Sequence, residues 1–263
     1  MDPYRIYAIE YARRSGTAGE LYMAGALAHS RLEGGFDAEE AIEISYFMWA
    51  IQNDARTVVV DMGFTEEKGR ANGRERRRCP GDGLREVGIE PATVSDLIMT
   101  HLHWDHAGNW ALFPEASFHV QHREMAFWTG PHARHAVFNE PVEADDIAAF
   151  VRLNLAGRVR FVDGDEVLFP GIGVHFVGGH TAGLQVVSVE TARGTAVIAS
   201  DAIKTWRHLE ESLLDPLHHD LPGLLDGYAR CAELAASGDL ILPGHDIQVL
   251  SRFETVADGI AIL

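Results

Sequence analysis

Cysteine is scarce: Cys79 and Cys231 are the only 2 in 263 residues. One lies in a basic stretch and the other in an expected helix, so neither a disulfide nor a Cys-based zinc site is indicated. Long hydrophobic runs are missing too. No stretch of about 18 apolar residues occurs, which argues against a membrane-spanning helix. The start Met1-Asp2-Pro3-Tyr4-Arg5 has no basic segment leading into an apolar one, so no signal peptide is expected and a cytoplasmic location is the default. Positive charge is in deficit, with 22 Lys and Arg against 39 Asp and Glu and a net charge of −17. Such a chain repels phosphate backbones, so nucleic acid is not an expected partner. The run Arg74-Glu75-Arg76-Arg77-Arg78 is the exception and reads as a solvated surface loop. Also absent are a Ser/Pro-rich linker, a low-complexity tract, a short-period repeat, a glycine-rich phosphate loop and a strong Ser–His–Asp or Cys–His nucleophile motif. The 46% hydrophobic content is enough for a sizeable core, and residues 1–263 are expected to form a single domain.

What the chain does have is histidine at high local density. His101-Leu102-His103-Trp104-Asp105-His106 follows the apolar segment Asp96–Thr100. On an extended chain, positions two apart face the same side, so His101 and His103 can grip one ion together. Asp105 and His106 follow as the chain turns and address a slightly different point. That arrangement suits two adjacent cations better than one. A pair of zinc ions sharing a water and a carboxylate needs about seven protein ligands, and three further segments have the right form. Gly173–Val177 leads to His180, Thr195–Ala199 to Asp201, and Asp239–Leu242 to His245. Each places a metal-capable side chain just past an apolar run, where a rigid sheet hands over to a loop. Glycine beside His180 and His245 permits tight backbone turns.

These four motifs, in this order, resemble the metallo-β-lactamase superfamily, and the segment Val94–Trp128 and the hairpin ending at Gly63 resemble its N-acyl-homoserine lactonase branch. The likeness runs over about residues 44–253. It implies an α/β (α+β) fold, a four-layer αββα sandwich of two mixed β-sheets with helices outside. It implies that His101, His103 and His180 bind a first metal, that Asp105, His106 and His245 bind a second, and that Asp201 bridges them. The cofactors would be two Zn²⁺, with Mn²⁺ or Fe²⁺ able to occupy the same His/Asp shell. The implied activity is opening of a small lactone, the nucleophile being a water shared by two ions and deprotonated near neutral pH. Asp105 is the candidate for handling the proton. The branch usually has a tyrosine three residues after the bridging aspartate; here that position is Lys204, which could donate to a developing oxyanion. The substitution keeps cyclic amides, thioesters and other activated carbonyls open as alternatives. A diiron oxidoreductase on the same fold usually has Glu where this chain has His103 and works with a flavin partner. A purely structural zinc module normally lacks a shared carboxylate. The expected partner is a small-molecule lactone or related substrate; a homodimer is the expectation by analogy.

The coarse reading predicts strands at 6–11, 44–52, 57–61 and 118–120 and helices over 82–87, 123–129, 143–156 and 222–236. The helix over 143–156 should bury Ile147, Phe150, Val151 and Leu155; the helix over 222–236 should bury Leu224, Leu225, Tyr228, Cys231 and Leu234. His119 and His175 should sit inside strands, and His122 at a helix start or behind a ligand. His132, His135, His218 and His219 should lie in loops, mostly at the surface. His29 is a candidate substrate contact, and Met23, Phe64, Trp104 and Trp128 are candidates for an apolar wall.

Overall fold

The computed structural model describes residues 2–23 and 36–263. His29 lies outside them. Among the described residues, fourteen strands form two mixed sheets. The first contains β1 (Arg5–Thr17), β2 (Ala41–Gln52), β3 (Thr57–Val60), β4 (Glu75–Arg76), β5 (Asp96–Ile98), β6 (Ser117–Gln121), β7 (Val159–Val162), β13 (Glu254–Ala257) and β14 (Ile260–Ile262). Its order is β13-β14-β1-β2-β3-β5-β6-β7, with β4 paired to β1. The second contains β8 (Glu166–Phe169), β9 (Ile172–Phe176), β10 (Gln185–Thr191), β11 (Gly194–Ser200) and β12 (Ile241–Pro243), in the order β12-β11-β10-β9-β8. Strands β3, β5, β6 and β7 run parallel, as do β11 and β12.

Side chains on a strand alternate between faces, and here both faces are apolar, which places the sheets inside the molecule. Ile6, Phe47, Trp49, Val58 and Val60 of the first sheet share a buried cluster with Val174, Val187 and Ile198 of the second. Their neighbours Ile9, Met48 and Val59 point the other way and pack with helices α1 (Pro80–Glu86), α2 (His122–Trp128) and α3 (Ala144–Leu155) through Leu84, Met125 and Phe150. The outer face of the second sheet is covered by α4 (Leu221–Leu234) through Leu224, Tyr228 and Cys231. Helix, sheet, sheet and helix make the four-layer αββα sandwich that the family resemblance implies.

Several local expectations shift. The first strand extends through Thr17, and the helix expected over 82–87 starts earlier, with proline at its first turn. Leu155 is 83% exposed, because α3 buries the face carrying Asp146, Ala149, Phe150 and Leu153, and two positions further on point away from it. Leu225 is 50% exposed, one position off the stripe of Leu224, Tyr228 and Cys231. The basic run is no solvated loop. Glu75 and Arg76 pair with β1, Arg76 meets Glu66, and Arg77 reaches the buried Glu10 and the exposed Asp258. His119 and His175 do lie in strands, held by Asp96 and Asp165 at 3.0 Å each. His122 is exposed at the start of α2. Both cysteines are free, and among the described residues no helix is long and apolar enough to cross a membrane.

Candidate metal centre

Five strand ends converge on one edge of the sandwich. The chain leaves β5 into His101, β9 into His180, β11 into Asp201, β12 into His245 and β3 into Asp61. Sterics hold the turns. Gly179 has φ +79°, and a Cβ there would lie 2.4 Å from the Leu224 backbone nitrogen. At Gly244 the need is close approach rather than an unusual turn, since a Cβ would lie 2.7 Å from the Ser200 backbone. Ser200 and Asp61 both adopt positive φ beside the centre, a conformation that is strained for residues with a Cβ.

The four candidate ligands of the loop, His101, His103, Asp105 and His106, and the three remote ones are brought together. Ligand-capable atoms lie within 4.8 Å of one another in three overlapping groups: His101, His103 and His180; His101, His106 and Asp201; Asp105, His106 and His245. Asp201 spans them. Its Oδ1 lies 3.2 Å from His106 Nε2 and 3.1 Å from His245 Nε2, and its Oδ2 lies 3.3 Å from His180 Nε2. Asp105 Oδ2 lies 3.5 Å from His106 Nε2 and 3.8 Å from His245 Nε2.

Each of four imidazoles is held from behind through Nδ1. His106 Nδ1 donates to Asp61 at 2.8 Å, His180 Nδ1 to Asp215 at 2.9 Å, and His245 Nδ1 to the Ser45 carbonyl at 2.8 Å. Thr100 Oγ1 donates to Asp61 at 2.7 Å and accepts from His101 Nδ1 at 3.1 Å. This fixes the tautomer and turns the Nε2 lone pairs inward. The Nε2 atoms of His101 and His106 are buried and make no hydrogen bond. His103 Nδ1 lies 3.0 Å from His180 Nε2, close enough for both nitrogens to face one cation. Buried polar atoms are normally paired; a cation among these lone pairs and carboxylates would satisfy all of them. The residues fit a bound metal pair.

Electrostatics agree. Burial, reinforced by neighbouring histidines, holds His101 and His103 well below the ordinary imidazole range. His106 is raised, because Asp105, Asp61 and Asp201 outweigh its burial. The carboxylates that hold a proton there would equally hold a metal cation. Burial opposes ionisation of Asp201, but His245, His106, His180 and Lys204 keep it well below the usual carboxylate range; Asp105 is kept low chiefly by His106.

Lys204 is buried. Its Nζ sits 2.8 Å from Asp215 and 3.6 Å from Asp201, and those two carboxylates overcome desolvation and raise its pKa. Of the expected apolar wall, Trp104 borders the cavity at the centre and Trp128 stands 5.9 Å from His103 between ring centroids. Phe64 belongs to the core against Tyr11, and Met23, 36% exposed, pairs its backbone with Leu214.

Sequence reasoning gave no role to Asp61, Asp215 or Glu124. Glu124, buried in α2, accepts from Leu102 N at 3.0 Å, Trp128 Nε1 at 2.7 Å, Thr181 Oγ1 at 2.8 Å and Gly183 N at 2.8 Å. It thereby ties the loop after β5 to the loop after β9. For Glu124, a lone acidic residue in the first turn of an expected helix is the only signal.

A family model described as the metallo-beta-lactamase superfamily matches residues 43–246. N-acyl homoserine lactonase AiiA of Bacillus thuringiensis subsp. kurstaki is 24% identical over 239 residues, spanning 84% of this chain and 89% of that protein. The solved structure of an N-acyl homoserine lactone hydrolase with N-hexanoyl-L-homoserine at its catalytic metal centre superposes with a TM-score of 0.74 at 20% identity, covering 97% of this chain and 98% of that one. AidC, a dizinc quorum-quenching lactonase, superposes with a TM-score of 0.67 at 16% identity, covering 93% and 88%.

Proposed function

The chain belongs to the metallo-beta-lactamase superfamily, and from that premise we propose that it is a dinuclear zinc-dependent hydrolase that opens a small lactone. In this reading His101, His103 and His180 hold one metal, Asp105, His106 and His245 hold the other, and Asp201 bridges. The observation that carries the reading is the division of the Asp201 carboxylate, one oxygen toward His106 and His245 and the other toward His180. Bound there, two zinc ions would supply Lewis acidity toward a carbonyl and a water acidified to near neutrality. The relatives' activity on N-acyl homoserine lactones and the dizinc centre of AidC support both the substrate class and the metal.

The protein's own groups divide the remaining work. Asp105 stands at the rim of the centre, its side chain 14% exposed, where it can take a proton and pass it to a leaving alkoxide. Lys204 lines the cavity with an ammonium held charged by Asp215 and Asp201, and hydrogens not used by Asp215 can donate to a developing oxyanion. Cyclic amides and thioesters form the second reading, favoured by an ammonium at that position. Because the candidate ligands come from both sheets, we read residues 1–263 as one domain.

The test is a panel of lactones, cyclic amides and thioesters offered to zinc-loaded protein. Lactone turnover that is lost on chelation and restored by zinc is expected. Turnover of amides or thioesters alone would favour the second reading, and no turnover of any would contradict both.

A further inference from the structure

A cavity of about 170 Å³ opens from the candidate centre, and its far wall carries cations that the proposed hydrolysis does not use. It runs from His245, Asp105 and Lys204 out to Tyr46, Arg14 and Arg74. Tyr46 packs against His245 in a T-shaped arrangement, with ring centroids 5.1 Å apart. Its hydroxyl accepts from Arg74 Nε at 2.8 Å. Arg74 is therefore held on the cavity wall by a phenol that also packs against a candidate ligand. Its Nη1 donates to the Asn72 carbonyl at 2.9 Å; among the described residues no carboxylate lies within ion-pair distance of it, and Glu20 acts on it only from further off. Arg14 pairs with Glu20, while its buried Nε has no hydrogen-bond partner. Two guanidiniums against one carboxylate leave this wall with surplus positive charge, on a chain whose net charge is −17. A plain acyl tail gains little from such a wall. A carboxylate gains directional, charge-assisted hydrogen bonds from a guanidinium fork.

We infer that the substrate carries a carboxylate, docked on Arg74 with help from Arg14, in the same cavity as the carbonyl that is attacked. The inference rests on the proposed hydrolase reading for the scissile end and on Arg74, Arg14 and Tyr46 for the acidic end. Leu21, Ile44 and Trp104 also line the cavity and suit a short apolar spacer.

The test compares a lactone bearing a side-chain carboxylate with the methyl ester of the same compound, using zinc-loaded protein. The expected result is a preference of about tenfold or more for the free acid, one charge-assisted hydrogen bond's worth. It should reside in KM and weaken as salt is raised. In Arg74→Gln the ratio of the two kcat/KM values should fall to near one, and in Arg74→Lys it should be intermediate, which separates loss of charge from loss of fold. Equal use of both compounds by the unaltered protein, or an unchanged ratio in Arg74→Gln, would overturn the inference. Should neither lactone be hydrolysed, calorimetry with glutarate decides. Binding that depends on Arg74 keeps the acid site while the lactone reading falls, and binding indifferent to Arg74 removes the acid site as well.

Discussion

The loop His101–His106 and the strand ends that carry His180, Asp201 and His245 reach the same point by different means. The loop supplies four candidate donors in six consecutive residues. The other three arrive one at a time, from β9, β11 and β12 of the second sheet. A loop that dense could twist its donors apart, and it is held from the first sheet by Asp61 behind His106 and Thr100. The strand ends need less tethering of the backbone, because the sheet ladder already places them. Their imidazoles still need orientation, from Asp215 behind His180 and the Ser45 carbonyl behind His245. Where donors are clustered, precision comes from partners brought in from elsewhere; where they are dispersed, it comes from the sheet.

That contrast can be broken at the one residue both halves share. Asp201→Ala should abolish turnover and sharply lower metal content, because each half loses the same carboxylate. Metal analysis together with lactone assay checks this, and full activity would refute the bridging role. Next in size is Glu124→Ala, which cuts the tie between the two loops and strands four buried donors. A loss of several kcal/mol of unfolding free energy is expected, at about 1–3 kcal/mol for each unsatisfied group, and a denaturant titration would read it. Asp61→Ala and Asp215→Ala then separate the halves. Each should weaken metal binding by about 10–100-fold. Only Asp215→Ala also takes from the buried Lys204 its 2.8 Å partner, leaving it Asp201 at 3.6 Å, so it should destabilise the fold more. Equal stability losses in the two variants would erase the distinction.

Two smaller tests lie behind the second sheet's half of the site. Burial pushes His208 down to about 4, against about 6.5 in an unfolded chain. Because the unfolded chain takes up the extra proton, this contribution is whole above about pH 6.5 and is lost as pH falls toward 4, at most a few kcal/mol. His208→Gln should lose less stability than the unaltered protein between pH 7 and 5, measured by urea unfolding. Burial in α4 also pushes the Cys231 thiol up to about 12. Native protein should therefore be alkylated at the half-buried Cys79 well before Cys231, as mass spectrometry of the labelled chain would show.

The legibility of the sequence follows the same division. The clustered loop announces itself through residue type and spacing, and the apolar runs ending at His180, Asp201 and His245 gain meaning once that loop is recognised. The sandwich is legible through the family resemblance, while the residues of β2, apolar on both faces, mark only a central strand. The orienting carboxylates were not legible. Asp61, Glu124 and Asp215 are single acidic residues whose value depends on contacts across as many as 59 positions, as from Glu124 to Gly183. Helix faces slipped at Leu155 and Leu225, where one or two positions turn a side chain from core to solvent. The cationic wall was misread because the sequence shows a run of arginines but not the phenol that holds Arg74 toward the cavity.

The account stands on two metals held by seven side chains, and the most direct measurement is a zinc titration of metal-free protein followed by metal analysis and lactone turnover. Two equivalents per chain are expected, with activity rising to a plateau at the second and Asp201→Ala failing to retain both. Saturation at a single equivalent, or two retained equally well without Asp201, would contradict it.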